Sequence, residues 1–385
     1  MGLTATLFEI LIMAVLLFLF SMTVLNFLSA LRLKNTQAKR KSQLPSVSVL
    51  VPARNEAHNL TRLIPSLVSS DYPEFEILIL DDESSDQTYE TAQKLLGHSQ
   101  VKFQVIKGQT WNQNRSVSGK NFACHQLSQV AQGEILIFCD ADVLISKTAL
   151  SDTIQLMLQN PKASGVSGLL YLKAPSLLQH FVLPWILQIP LMMTLPLRWA
   201  WRAPIKSMQM ANGQWLAIWH EKYKKIGGHL ALGTSVVEDV EIAQRLTENS
   251  SGGMIPVITS KEISVSMYTD WKSMVQGFSK NLISIYGGHP AVFILILASL
   301  NLIFFSPFFI SNNLLKAISI SLIFGLHFLS SLAFGNSALS SLSSGIMTWP
   351  TLVILNGFAS LIVKNYFKKQ TQWKGRSITF PEDST

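Results

Sequence analysis

The chain opens on an unbroken apolar run, Ile10 to Leu31, that carries no charge and is long enough to span a bilayer. From about Pro45 the pattern changes to short apolar runs alternating with polar stretches of helical length. VSVLVPA (Val47 to Ala53), EILILDD (Glu76 to Asp82), VKFQVI (Val101 to Ile106) and EILIFCDAD (Glu134 to Asp142) read as strands. Their apolar positions are continuous rather than alternating, the pattern of a parallel sheet covered on both faces. Ala57 to Ser69, Asp86 to Leu96 and Lys120 to Val130 read as helices, with Ser84 or Ser85 placed to cap the second. Strand and helix in alternation predict an α/β, doubly wound, mostly parallel sheet.

Two further regions break this rhythm. Pro175 to Arg202 is apolar but interrupted by Pro175, Pro184, Pro190 and Pro196, and it ends in Arg198, Trp199, Trp201 and Arg202. Tryptophans at headgroup level and arginines on phosphates fit an interfacial segment better than a clean span, and a buried core hairpin is the plain alternative. Beyond the polar part lie three apolar blocks of spanning length, Ala291 to Ile310, Leu314 to Phe334 and Ile346 to Val363. The organisation expected is therefore an anchor with its flank over 1–43, a globular domain over 44–280 that includes the interfacial segment 175–202, membrane helices over 281–366 and a tail over 367–385.

Composition agrees with this division. Charged residues make up 14% of the 385 residues, against about 25% in ordinary globular domains. The net charge of +8 comes from 31 Lys and Arg against 23 Asp and Glu, and much of the excess lies beside apolar runs, which favours anionic lipid over nucleic acid as its partner. Arg32, Lys34, Lys39, Arg40 and Lys41 follow the first apolar run directly, so the positive-inside rule predicts a multi-pass cell-membrane protein with the globular domain in the cytoplasm. Three C-terminal spans would leave the basic tail (Lys364, Lys368, Lys369, Lys374, Arg376) outside, against the same rule, so one block is re-entrant or the tail breaks the rule. Cys124 and Cys139 form no disulfide framework and no metal-ligand spacing, and read as reduced thiols.

In an open parallel sheet ligands bind outside the carboxyl ends of the strands, and acidic residues collect there: Asp81 and Asp82 after the second strand, Asp140 and Asp142 after the fourth. Two carboxylates one residue apart are hard oxygen ligands suited to Mg²⁺ or Mn²⁺ completed by phosphate oxygens. Lys120, beside a glycine at a helix start, is placed to meet a phosphate; a solvated surface lysine is the plain reading. Glu238 and Asp239 open a stretch whose apolar residues (Val236, Val240, Ile242, Ala243, Leu246) suit an amphipathic helix, and an ordinary acidic helix start would look the same. Glu56 and Asp86 read as helix-start acids, and His125, His220 and His229 as structural or surface residues.

VSVLVPARNEAHNLTRLIPSL, EILILDDESSDQT and GEILIFCDADV together resemble the donor-binding half of the family 2 glycosyltransferases, which have the GT-A fold. The resemblance implies that Pro52, Arg54 and Glu56 line the nucleotide pocket, that Asp82 contacts the base, and that Asp140 and Asp142 bind the metal and the donor. It implies Asp239, with Glu238, as the general base. Ala211 to His229, with Gly213, Gln214 and Trp215 on the acceptor side, resembles the acceptor segment of carotenoid glucosyltransferases of the hydroxychlorobactene type, as does WKGR near the end. Processive members carry Gln-x-x-Arg-Trp after the Glu-Asp site, whereas here Gln276 is followed by Ser279 and Lys280, which leaves Lys280 as a further donor-phosphate contact and points away from polymer synthesis. The expected activity is inverting transfer of a sugar, glucose first, from a UDP-sugar to a lipid alcohol or acid such as a carotenoid or other isoprenoid. A processive synthase, a sugar nucleotidyltransferase and a non-catalytic nucleotide-sugar-binding membrane protein are the alternatives.

Overall fold

The structure, a computed structural model, describes residues 2–33, 44–111, 117–203, 205–249, 252–286, 288–367, 372–373 and 376–377. Lys34, Lys39, Arg40, Lys41, Lys368, Lys369 and Lys374 lie outside the described residues, as do the side chains of Lys280, Trp373 and Arg376. The chain begins α1 (Gly2–Ser29), β1 (Val47–Ala53), α2 (Ala57–Val68), β2 (Phe75–Asp81), α3 (Thr88–Leu96) and β3 (Lys102–Lys107). It continues α4 (Gly119–Val130), β4 (Ile135–Cys139), β5 (Val143–Ile145), α5 (Ala149–Gln159), β6 (Gly165–Leu172), α6 (Leu177–Leu187), α7 (Ile189–Thr194) and α8 (Leu197–Ala200). Next come β7 (Trp215–Trp219), α9 (His220–Lys225), α10 (Glu238–Asn249), β8 (Met254–Val265) and α11 (Trp271–Ile285). The last are α12 (Pro290–Phe305), α13 (Asn313–Ala333), α14 (Ala338–Ile346), α15 (Thr348–Phe367) and the two-residue strands β9 (Gln372–Trp373) and β10 (Arg376–Ser377). These fall into two compact units. One takes residues Leu31–Tyr171 and Leu197–Ser266; the other takes Met1–Ala30, Leu172–Pro196 and Met267–Thr385.

The first unit is built on an eight-stranded sheet of order β3-β2-β1-β4-β7-β6-β8-β5. β1 pairs in parallel with β2 on one side and β4 on the other, and β2 with β3. Every residue of β4 and all but one of β1 is buried, which is why their apolar runs are unbroken. The other half turns antiparallel: β4 with β7, β7 with β6, β5 with β8. α2 covers the sheet with Leu60, Leu63, Ile64 and Leu67, a single helical face.

Two expected boundaries are corrected. The run Glu134 to Asp142 is not one strand: β4 stops at Cys139, Asp140 enters a turn closed by Val143 N–H on the Asp140 carbonyl at 3.3 Å, and β5 leaves to pair with β8. Neither Ser84 nor Ser85 caps α3. Ser84 Oγ accepts the Asn55 N–H at 2.9 Å and the Ser85 N–H bonds Asn55 Oδ1 at 2.7 Å, so both serines are engaged by the loop after β1. Asp86 serves the helix starts instead, accepting the Thr88 N–H and the Ala57 N–H, each at 3.1 Å.

The second unit is helical. Thr6–Ser29, Leu177–Thr194, Pro290–Phe309 and Asn313–Ala333 are each long and apolar enough to cross a membrane, and α14 with α15 forms a further apolar pair bent by 69°. Leu177–Thr194, expected to be interfacial, is two helices broken at Gln188; at ~1.5 Å per residue it reaches about 27 Å, marginal for a hydrocarbon core of about 30 Å. Two sets of polar side chains inside this unit are paired. Asn301 on α12 and Asn356 on α15 exchange amide bonds at 2.9 and 2.7 Å, and Asn26 donates to the Met192 and Leu195 carbonyls at 2.9 and 2.6 Å.

Candidate active site

The carboxyl ends of β1, β2 and β4 form one edge of the first unit. The loops after β1 and β2 are zipped together there. The Asp82 N–H donates to the Ala53 carbonyl at 2.7 Å, and Arg54 Nη1 donates to the Asp82 and Glu83 carbonyls at 2.6 and 3.0 Å. Asn55 and Glu83 both adopt a left-handed backbone, φ 53°, which a non-glycine residue holds only where its surroundings fix it. The Glu56 N–H bonds Thr88 Oγ1 at 2.9 Å, and the Glu56 carboxylate accepts Asn59 Nδ2 at 2.6 Å. Arg54, expected to line a nucleotide pocket, therefore holds the backbone that presents the buried Asp82. Asn55, Ser84 and Thr88, which sequence reasoning did not single out for this site, complete the zip.

Asp140 stands at the end of β4, its N–H on the Gln214 carbonyl at 3.2 Å. The Asp142 carbonyl accepts the Ser266 N–H at 3.3 Å, tying the turn to the end of β8. Lys120 reaches across from the first turn of α4, which Ser118 caps by accepting the Asn121 N–H at 3.2 Å. Its ammonium lies 3.1 Å from Asp140 and 3.0 Å from Glu238. In the structure one cation bridges two carboxylates from distant parts of the chain. Burial opposes the Lys120 charge, but Asp140 and Glu238 outweigh it and hold the ammonium well above the ordinary lysine value. Asn121, fully buried, donates to the Gly233 and Ser235 carbonyls at 3.0 and 3.4 Å, so α4 also holds the loop that leads into α10.

Asp239 follows in the first turn of α10. One carboxylate oxygen accepts the Gly213 N–H at 2.8 Å and the other the Val240 N–H at 2.8 Å. Burial, then the neighbouring Glu238, push its carboxyl from an ordinary 3.8 up to about 6, while the Gly213 N–H and Lys120 pull the other way. Pro52, Lys120, Asp140, Gly213, Glu238 and Asp239 line one pocket together with Cys124, Phe138, Leu216 and His229. His229 takes part as packing: its Nδ1 meets the Tyr223 hydroxyl at 2.9 Å, and burial lowers the imidazole to about 3, so it stays neutral. Cys124 and Cys139 are buried free thiols.

Trp215 is one of the residues expected on the acceptor side. Its side chain is fully buried, with Nε1 donating to Thr153 Oγ1 at 3.1 Å, so it packs in the core of β7. Gln214 is buried too, and its contribution is the carbonyl that holds Asp140. Gly213 does face the pocket; a Cβ there would stand 3.6 Å from both the Asp239 carboxylate and the Lys120 ammonium. Lys280 lies on α11 of the helical unit, and its side chain is outside the described residues.

Among the described residues no three Asp, Glu, His or Cys side chains converge into a metal cage. Mg²⁺-type ions in phosphate sites do not need one, because one or two carboxylates plus water and substrate phosphate complete the shell. Asp140 and Asp142, hard oxygen donors flanking a single turn residue, fit that mode.

Residues 48–177 match the family model for Glycosyl transferase family 2. A 4,4'-diaponeurosporenoate glycosyltransferase of Staphylococcus haemolyticus is 37% identical over 29% of this chain and 28% of its own length. A beta-monoglucosyldiacylglycerol synthase of Trichormus variabilis is 31% identical over 35% of this chain and 28% of its own length. The matches thus span little more than a quarter of these relatives. A mannosyltransferase from Pyrobaculum calidifontis, solved in complex with GDP-Man and Mn²⁺, superposes with a TM-score of 0.53 at 16% identity, covering 94% of this chain and 99% of that one. That likeness supports the GT-A fold, and over residues 48–177 the chain is similar to glycosyl transferase family 2.

Proposed function

We propose that the chain transfers a single sugar, glucose first, from a UDP-sugar to a lipid acceptor such as a carotenoid or another isoprenoid, with inversion at the anomeric carbon. The observation that carries this reading is Asp239: a carboxyl raised to about 6, oriented by the Gly213 N–H, in the pocket that Asp140 also lines. A carboxylate of that strength is suited to take a proton from an incoming hydroxyl near neutral pH, as the base of an inverting hydrolase does from water. Glu238 keeps Lys120 in place and, by its charge, raises Asp239. Pro52, the Arg54-held Asp82 and Glu56 frame the nucleotide. Asp140 and Asp142 would hold Mg²⁺ or Mn²⁺, which supplies positive charge to the leaving diphosphate. The apolar helices and the lipids in the names of the two relatives support an amphiphilic acceptor and a multi-pass cell-membrane protein with its catalytic unit in the cytoplasm.

Membranes carrying the protein, incubated with radiolabelled UDP-sugars, are expected to yield a lipid bearing one sugar. A labelled polymer would reverse the reading in favour of a processive synthase, and label released only as free sugar would remove the lipid acceptor. EDTA is expected to stop the reaction and Mn²⁺ or Mg²⁺ to restore it; full turnover in chelator would remove the metal role of the two aspartates.

The pH dependence follows from Asp239 as base. Its active form is the carboxylate, so kcat/KM is expected to rise with pH up to about 6 and then level. A profile flat from about one unit below that value to one above would take the proton transfer away from Asp239.

A further inference from the structure

We infer that Ser167 is a positioning residue for Asp239: its buried hydroxyl anchors the turn Asn212–Gly213–Gln214, whose Gly213 N–H holds one oxygen of the Asp239 carboxylate. The inference rests on Asp239 being the proposed base. Ser167 lies on β6 and is fully buried opposite Leu216 of β7. A buried hydroxyl needs hydrogen-bond partners. This one accepts the Asn212 N–H at 2.7 Å, with the Asn212 carbonyl at 3.5 Å on its other side. Asn212 then closes the turn upon itself: its Oδ1 accepts the Gln214 N–H at 3.0 Å, and its Nδ2 donates to Gln214 Oε1 at 3.2 Å.

The turn touches both halves of the site, though not equally. On one side the Gln214 carbonyl takes the Asp140 N–H at 3.2 Å, but Asp140 also follows directly from β4, which is laddered to β1 and β7. On the other side the Gly213 N–H, at 2.8 Å, is the one hydrogen bond that Asp239 receives from outside its own turn among the described residues. Loosening the turn therefore displaces the base while leaving the donor end held by the sheet. Catalysis depends steeply on such placement, a shift of about 1 Å costing up to about 10²-fold.

Ser167→Ala removes the anchor and strands the Asn212 N–H, and Asn212→Ala opens the same turn from its side-chain end. With the full chain in detergent or nanodiscs, both variants are expected to lower kcat by about 10- to 100-fold while the KM for the UDP-sugar stays within about threefold. Hydrogen exchange of the peptide spanning Asn212–Trp215, followed without substrate, is expected to speed up in both. Unchanged exchange in the two variants overturns the anchoring, whatever reaction the protein performs. Faster exchange with kcat within about twofold of the parent, or with the whole loss in KM, overturns the positioning role. Should Ser167→Ala fail to fold, Asn212→Ala decides by the same readings. A wild-type protein that transfers no sugar sinks the proposed function instead, and the exchange result still reads the anchor.

Discussion

Asp239→Asn is expected to lower the rate of transfer by about 10³-fold while donor affinity stays within a fewfold and the folded state becomes more stable. The amide keeps an oxygen for the Gly213 N–H and gives up the acceptor for the Val240 N–H within its own turn, so the tie to Gly213 is retained while the base is removed. The gain in stability follows from the same environment that makes the residue a base. Its folded carboxyl titrates at about 6 against an ordinary 3.8, so the folded state holds that proton more tightly than the unfolded chain does. The resulting penalty is absent below about 4, grows between about 4 and 6, and is complete above that, where it amounts to roughly 2–3 kcal/mol. Denaturant melts of the two proteins should therefore coincide in acid and separate in favour of asparagine at neutral pH. A variant that still turns over at the parent rate sinks the base assignment. One that is inactive but equally destabilised at all pH values shows a folding defect and not a lost base.

How much of this was legible beforehand depended on the range of the interactions involved. β1, β2 and α2 could be read because burial on both sheet faces writes continuous apolar runs and α2 buries one helical face, both local patterns. The break after Cys139 could not, because what ends β4 is the pairing of β5 with β8, which lies far along the chain. Trp215 carries a local signal of its own: WLAIW is as continuously apolar as β1 and β4, and the tryptophan at its start is fully buried. The strand-end aspartates were legible as a group from topology alone. The tie between them and Glu238 was not, since nothing local to SGKNFA tells that Lys120 pairs with Asp140 after β4 and with Glu238 of α10. Ser167 and Asn121 are single polar residues in apolar surroundings, and no periodicity marks them.

Lys120→Met tests that tie, and its expected effect is on stability and on pH dependence together. Removing the ammonium leaves Asp140 and Glu238 facing each other without the cation that each meets at about 3 Å, with Asp239 beside them. Breaking a fully buried pair by losing one partner costs about 3–5 kcal/mol. The Lys120 side chain is 36% exposed, and water screens part of the repulsion, so a loss of about 1–3 kcal/mol is expected here. Lys120 also pulls the Asp239 carboxyl down, so its loss raises that group above about 6 and moves the acidic limb of the rate profile to higher pH. Adding Glu238→Gln to Lys120→Met withdraws one of the stranded charges. It is expected to recover part of the lost stability and to bring the limb back toward lower pH, because Glu238 itself raises Asp239. The cycle of single and double variants then isolates the coupling, for which a value within experimental error of zero would make Lys120 a bystander. A favourable coupling together with a shifted limb would make it the counter-ion that lets three carboxylates share one pocket, a condition the proposed chemistry requires before any donor arrives.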